Sequence, residues 1–163
     1  MRVLTIFFLG IWCISVNAQN LKIGFIDTEQ VIVNLTQYKN GVDKLSYEFE
    51  PKKQELLDLF KHIELLRENI ELNKKTSTLD SDGIELAKLK VLEESFEKET
   101  EFWQKSMNTN KINLLNKIEG LINSSINDYA IEEGYDLILY KDVAFVSDKI
   151  NITQKIIEKI EKQ

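Results

Sequence analysis

The stretch VDKLSYEFEPKKQELLDLFKHIELLRENI, residues 42–70, decides the fold because its apolar side chains return every seven residues. One series keeps that interval and a second lies three residues after members of the first: Val42, Phe49, Leu56, Ile63 and Ile70, then Leu45, Leu59 and Leu66. Alternating steps of three and four residues give one apolar stripe, which is typical of a coiled-coil seam. The stretch therefore predicts a long helix packed along one side against another helix.

A turn and a second helix follow this stretch. Residues 73–83 (NKKTSTLDSDG) have no apolar helical stripe, and their composition is that of a turn. The stripe then resumes with Leu89, Leu92, Phe96, Trp103, Met107, Leu114, Ile118, Leu121 and Tyr129. Residues 42–123 thus predict an antiparallel helical hairpin arm with its tip near 73–83. Pro51 predicts a kink close by, or a new helix beginning there, because proline removes a backbone hydrogen bond.

Short β-type runs flank the predicted arm. Residues 21–26 form one run, and residues 135–140 and 143–146 form two more with a tight turn at Lys141-Asp142 between them. These runs predict a small β body made of residues 19–41 and 124–163. The fold class is therefore mostly α with a small β body (α+β), in which a long antiparallel coiled-coil hairpin projects from an oligomeric β core.

Two helix starts are marked within the body. Asp27 with Gln30 three residues later, and Asn151 with Gln154, have the spacing of a helix cap and its partner. The first of these helices is expected to loosen near residues 40–41. The second closes the chain with an apolar face of Ile152, Ile156, Ile157 and Ile160.

The body is too small to be stable by itself. Three short strands leave exposed edges in a lone chain, and such a sheet with two short helices buries little apolar surface. We therefore expect several copies to combine their strands in one shared core. The alternative is a monomer whose closing helix covers the sheet.

The N-terminus has the layout of a secretory signal peptide. Met1-Arg2 supplies the positive charge, residues 3–14 form a twelve-residue apolar run, and a stretch of small residues ends at Ala18. Residues 1–18 are therefore predicted to be removed by cleavage between Ala18 and Gln19. The alternative is an uncleaved membrane anchor, although about 20 apolar residues are needed to span a bilayer.

Composition argues against several functions. The chain has 27 acidic and 21 basic side chains, so a nucleic-acid binder and strong binding to anionic membranes are not expected. Its one cysteine, Cys13, lies in the predicted signal, and His62 is its one histidine. No thiolate, zinc site or nucleophilic triad can be assembled from such a set, so we predict no catalytic or metal-binding residue, no cofactor and no enzyme.

Taken together, the parts of the chain resemble the Skp/OmpH family of periplasmic chaperones. The resemblance lies in the order and spacing of a signal peptide, LKIGFIDTEQVI (residues 21–32), the heptad hairpin, GYDLILYKDVAFVS (residues 134–147) and the closing NITQKIIEKI helix (residues 151–160). It implies a homotrimer in the periplasm that holds unfolded outer-membrane proteins in a cavity between its arms, without ATP. It also implies that six residues lie in the trimer-body strands: Ile23, Phe25, Leu137, Leu139, Ala144 and Val146.

A chaperone of this kind needs accessible apolar side chains on its arms. Candidates for contact with the client protein lie beyond the predicted seam: Leu57, Phe60, Leu65, Leu72, Phe102, Leu115 and Ile122. The alternative is that these side chains only widen the seam, since ordinary amphipathic helices bury about three residues per heptad. The best-known members of the family are basic, whereas this chain is acidic with a pI near 5.0, which suggests other clients or clients held mainly by apolar contact.

A second kind of function is compatible with the same pattern. An exported coiled-coil protein can serve as a structural adaptor that recognises one folded partner through the tips of its arms. The two functions differ in what they bind, because a chaperone keeps unfolded protein soluble and an adaptor does not.

Overall fold

The computed structural model describes residues 21–73, 82–140 and 143–162. In chain order it contains β1 (Ile23–Ile26), α1 (Thr28–Asn34), α2 (Thr36–Asn73), α3 (Asp82–Glu133), β2 (Leu137–Tyr140) and α4 (Thr153–Glu161). The predicted signal peptide with its Ala18/Gln19 cleavage site, most of the predicted tip and the predicted turn at residues 141–142 lie outside the described residues. The predicted class, mostly helical with a small β body and a long helical hairpin, is confirmed.

Helices α2 and α3 form the arm by packing along the predicted seam. Leu56, Ile63 and Ile70 of α2 are buried at the seven-residue interval, and Leu89 of α3 packs with the last two. Half-buried Leu59, Leu66, Leu92 and Phe96 complete this stripe. With 38 residues, α2 is about 57 Å long.

Two expectations about α2 are corrected by the structure. Of the two alternatives at Pro51, a new helix is wrong, because α2 runs through this residue from Thr36 to Asn73, and a kink close by stays a prediction. The break expected near residues 40–41 lies instead at Leu35, whose extended backbone separates α1 from α2. Gly41 serves close packing, since a Cβ atom there would lie 2.4 Å from Cδ1 of Leu114 on α3.

The sheet is parallel, and β1 lies at its centre. Ile23 of β1 is level with Leu137 of β2, and Phe25 is level with Leu139. On the other side of β1, the N–H of Phe25 donates to the carbonyl of Ile150 at 2.8 Å, and the N–H of Ile152 donates to the carbonyl of Phe25 at 2.9 Å. The chain after residue 149 therefore occupies the edge of β1 that β2 leaves open.

The third predicted strand, residues 143–146, is wrong for the single chain. These residues form no strand, and Phe145 is 81% exposed. Both edges of β1 are occupied by other parts of the chain, and this run does not pair with the second edge of β2, which is unpaired within the described residues. An apolar run without a partner strand forms no ladder.

The core of the body lies between β1, α1, the end of α3 and α4. Its buried apolar side chains are all aliphatic: Ile26, Val31, Leu35, Ile118, Ile122, Ile126, Ile152, Ile156, Ile157 and Ile160. Ser125 and Thr153 are buried as well. Asp27 caps α1 as predicted by accepting a hydrogen bond from the N–H of Gln30 at 2.9 Å. Its own N–H donates to Oγ1 of Thr153 at 2.9 Å, so the start of α4 is tied to the start of α1. Among the helices described, none is long and apolar enough to cross a membrane.

Candidate functional site

Two apolar surfaces of the chain face solvent, and the first lies on the sheet. Side chains alternate between the faces of a strand, so Gly24 and Ile26 point into the core while Ile23 and Phe25 point away from it. The strand register places Leu137 and Leu139 beside the latter pair. We name these four residues the outer sheet face; Leu137 is 42% exposed and Leu139 is 38% exposed, while Ile23 and Phe25 are half-buried.

The other two residues expected in the body strands lie elsewhere. Ala144 and Val146 follow β2 in the segment that forms no strand, so the structure does not bring them into the sheet. Val143 and Phe145 of the same segment are exposed. This segment, which begins three residues after β2 ends, therefore adds exposed apolar side chains to the body.

The second apolar surface lies on the arm, on the sides of α2 and α3 that point away from the seam. If Leu56, Ile63 and Ile70 are heptad position a, then Leu57, Leu65 and Leu72 occupy positions b and c, remote from α3. All three are exposed, and Phe102 on α3 is 73% exposed. These four client candidates are thus accessible from solvent in the single chain.

Three client candidates are placed differently from the rest. Phe60 is partly exposed, but it lies beside the seam with its ring 5.8 Å from that of Phe96. Leu115 is half-buried and lines a groove between α1, α3 and β2. Ile122 is wrong as a contact residue, because it is 1% exposed within the core of the body. The heptad pattern does not show that the end of α3 is covered by α1 and α4.

Further exposed apolar side chains were missed in the sequence. Ile84 and Val91 of α3 and Tyr47 of α2 are more than half exposed. With Leu89 and Phe96 at position a, both Ile84 and Val91 fall on position c. The heptad pattern of the seam is therefore enough to predict that Ile84 and Val91 are exposed, because it identifies the positions of α3 that α2 cannot cover.

Charged side chains connect the two arm helices beside the seam. Nζ of Lys52 lies 2.7 Å from a carboxylate oxygen of Glu99, and Arg67 reaches Glu93 at 2.5 Å. The hydrogen bond from Lys52, supported by one from Ser95, lowers the pKa of Glu99 below its ordinary value. Nε1 of Trp103 donates to the carbonyl of Phe49 at 3.2 Å. These polar contacts align α2 and α3 along the length of the arm.

No arrangement for metal chemistry is found in the described part of the chain. No group of three or more His, Cys, Asp or Glu side chains is close enough there to hold an ion. His62 is exposed on the arm. The surfaces available for function are therefore the outer sheet face and the solvent-facing sides of the arm.

Comparisons with other proteins agree with this architecture. The family of outer membrane proteins described as OmpH-like matches residues 22–160. A search of curated proteins finds no match to the sequence. Among solved structures, a candidate OmpH-like outer membrane chaperone from Caulobacter crescentus CB15 is similar with a TM-score of 0.74 and 12% sequence identity, over 87% of this chain and 85% of that chain. At that identity, the likeness shows a shared fold.

Proposed function

Because this chain belongs to the OmpH-like family of outer membrane proteins, we propose that it is an exported, ATP-independent holdase chaperone for unfolded outer-membrane proteins. The proposal places the protein in the periplasm after removal of residues 1–18. It acts there as a homotrimer whose arms surround the client. The observation that carries the proposal is the set of exposed apolar side chains on the arm, above all Leu57, Leu65 and Phe102.

The chemistry of these side chains suits the holding of an unfolded chain. Each apolar contact contributes about 25 cal/mol per Å² of surface removed from water, without requiring a particular partner geometry. Several such contacts on linked arms increase the overall affinity because they act together. A client can therefore be held in many arrangements, which an unfolded chain requires.

The outer sheet face supports the homotrimer. Ile23, Phe25, Leu137 and Leu139 form an apolar layer beside an unpaired edge of β2, and exposed apolar layers of this kind mark interaction surfaces. In our proposal the sheets of three copies cover one another there. Ala144 and Val146 would join this contact from the segment after β2, which pairs with no strand among the described residues.

The charge of the chain argues for clients held by apolar contact and against membrane lipids as partners. The net charge is −6 at pH 7, so the phosphate groups of anionic lipids are repelled overall. Exposed apolar side chains remain available at any net charge.

Dilution of a urea-unfolded outer-membrane β-barrel protein tests the proposal. The protein at micromolar concentration should keep the client soluble without nucleotide, as measured by light scattering. The triple variant Leu57→Ser, Leu65→Ser and Phe102→Ser should suppress aggregation less well while sedimenting as the same oligomer. The matched control is Gln54→Ser with Asn69→Ser and Asn108→Ser, which changes exposed polar residues of the same helices.

Two results would overturn the proposal. Aggregation equal to that of the client alone would reject the holdase and favour an adaptor for a folded partner. Unchanged suppression by the triple variant would reject the arm as the client-binding surface.

A further inference from the structure

A groove of about 450 Å³ lies where the arm meets the body, between α1, α3 and the end of β2. Its apolar lining consists of half-buried Ile32 and Leu115 and the buried side chain of Ile122. Tyr140, the last residue of β2, also lines it and is 58% exposed. We name it the junction groove; it offers an aliphatic floor and an accessible aromatic ring.

The charged side chains that line the junction groove are both acidic. They are Glu29 of α1 and Glu119 of α3, and both are exposed. Lys117, two residues from Glu119, lines a different groove, between α2 and α3. Within the described residues, neither carboxylate makes an ion pair or a hydrogen bond. The negative charge beside the aliphatic floor is therefore not compensated by a cation of the described chain.

The other glutamates of the body differ from Glu29 in this respect. Each of the four has a partner: Glu132 with Lys159, Glu133 with Lys22, Glu158 with Gln154 and Glu161 with the N–H of Thr36. Charge in the body is thus generally paired where it lies on the surface, and the junction groove is an exception.

An aliphatic floor, two carboxylates and an aromatic ring together fit a cation carried on an apolar stem. Lysine and arginine side chains lay their aliphatic stems along apolar surface and keep their charged heads at its edge. Carboxylates bind such heads through charge-assisted hydrogen bonds, and the ring of Tyr140 adds a cation–π attraction. A metal ion fits less well, because the described residues contain no group of three or more His, Cys, Asp or Glu side chains that could hold one.

We propose that the junction groove binds lysine and arginine side chains of the unfolded client. The inference rests on the proposed holdase function and names a chemical feature that the groove selects in a client. Strands of β-barrel membrane proteins alternate apolar and polar residues, so a basic residue in such a chain has apolar neighbours. Those neighbours can contact Leu115 while the cationic head reaches Glu29 and Glu119. The net charge of −6 favours the approach of basic segments.

Peptide binding tests the groove directly. Three fluorescein-labelled peptides differ only in one central residue between two leucines, which is lysine, glutamine or glutamate. Fluorescence anisotropy should show that the lysine peptide binds about tenfold more tightly than the glutamine peptide, and that the glutamate peptide binds most weakly. Glu29→Gln with Glu119→Gln should abolish the preference for lysine. The matched control, Glu97→Gln with Glu101→Gln, removes the same charge from exposed positions of α3 on the arm and should keep it.

Two further measurements identify the occupant. An excess of urea-unfolded β-barrel client should displace the lysine peptide from the original protein. Lys141 follows Tyr140 in the sequence, and Lys141→Ala should leave the affinity for the lysine peptide unchanged. A rise in affinity of more than about threefold would show that this lysine of the chain itself competes for the groove, and would overturn the client as its occupant.

The outcomes separate this proposal from the proposed function. A protein that suppresses client aggregation yet binds the lysine and glutamine peptides equally overturns the junction groove alone. An equal loss of preference in the control variant would show attraction by the overall charge and reject the two glutamates as the site. Failure of the client to displace the peptide overturns the client as occupant. A protein that binds the lysine peptide through these glutamates but keeps no β-barrel client soluble overturns the proposed function, and the client as occupant with it.

Discussion

In the body, β1, α1, α3 and α4 come together from both ends of the chain and enclose one aliphatic core, whereas in the arm only α2 and α3 meet, along a single stripe. Four elements can surround a side chain completely, so Ile26, Ile156 and Ile160 are fully buried. Two helices can cover only the residues between them. An exposed apolar surface therefore follows from geometry in the arm, whereas in the body the exposed apolar residues lie on the outer sheet face, in the segment after β2 and at single positions such as Ile131.

The first prediction concerns the better-enclosed region. Ile156→Ala should lower the free energy of unfolding by about 2–5 kcal/mol, because it leaves a cavity among side chains that have no exposure to water. Denaturant unfolding followed by circular dichroism measures the change. Ile131→Ala, at a position 82% exposed on α3, is the matched control and should change stability by less than about 0.5 kcal/mol. An equal loss of unfolding free energy in the two variants would show that Ile156 is no better enclosed than an exposed residue.

The second prediction concerns the arm. Ile63→Ala removes a side chain that is 3% exposed in the seam, and we expect a loss of about 2–4 kcal/mol confined to the arm. Hydrogen exchange should show faster exchange in α2 and α3 while the amides of α4 keep their protection. Leu65→Ala, two residues further along the same helix and exposed, serves as the control. Loss of protection in α4 as well would show that arm and body unfold as one unit.

The smallest expected effect depends on pH. Lys52 lowers the pKa of Glu99 below its ordinary value of 4.5, so this contact stabilises the arm fully above that pH and is lost as the pH falls through the lowered pKa. Between pH 7 and pH 3, the unfolding temperature of Glu99→Gln should therefore fall slightly less than that of the original chain. Glu97→Gln removes the same charge from the same helix outside this contact. If the unfolding temperature of Glu97→Gln fell by as little as that of Glu99→Gln, the pH dependence would come from general charge effects and not from the contact with Lys52.

The arm could be predicted from the sequence because its interactions are local and periodic. The positions of Leu56, Ile63 and Ile70 follow from the heptad repeat alone, and all three are buried. The same repeat, once its phase is known, identifies Leu65 and Val91 as outward-facing residues. The heptad repeat does not show where the arm ends. For that reason the sequence predicts Ile122 on a surface, although α1 and α4 cover it.

The body was harder to predict because its pairings join distant parts of the chain. An apolar run such as residues 143–146 has strand propensity, yet this run pairs with neither described strand, although the second edge of β2 is open. Propensity does not reveal that the chain after residue 149 takes the remaining edge of β1. Asp27 illustrates the difference. Its hydrogen bond with Gln30 is local and follows from the sequence, whereas its hydrogen bond with Thr153 joins distant parts of the chain and does not.

The parallel pairing of β1 with β2 has a consequence for how the chain assembles. Ile23 and Leu137 are neighbours in space, so the first strand must wait until nearly the whole polypeptide has emerged before its partner is available. A long closure of this kind is entropically slow in a flexible chain. Packing of α2 onto α3 shortens the path between β1 and β2, so we expect the hairpin to form first and to bring the two strands together.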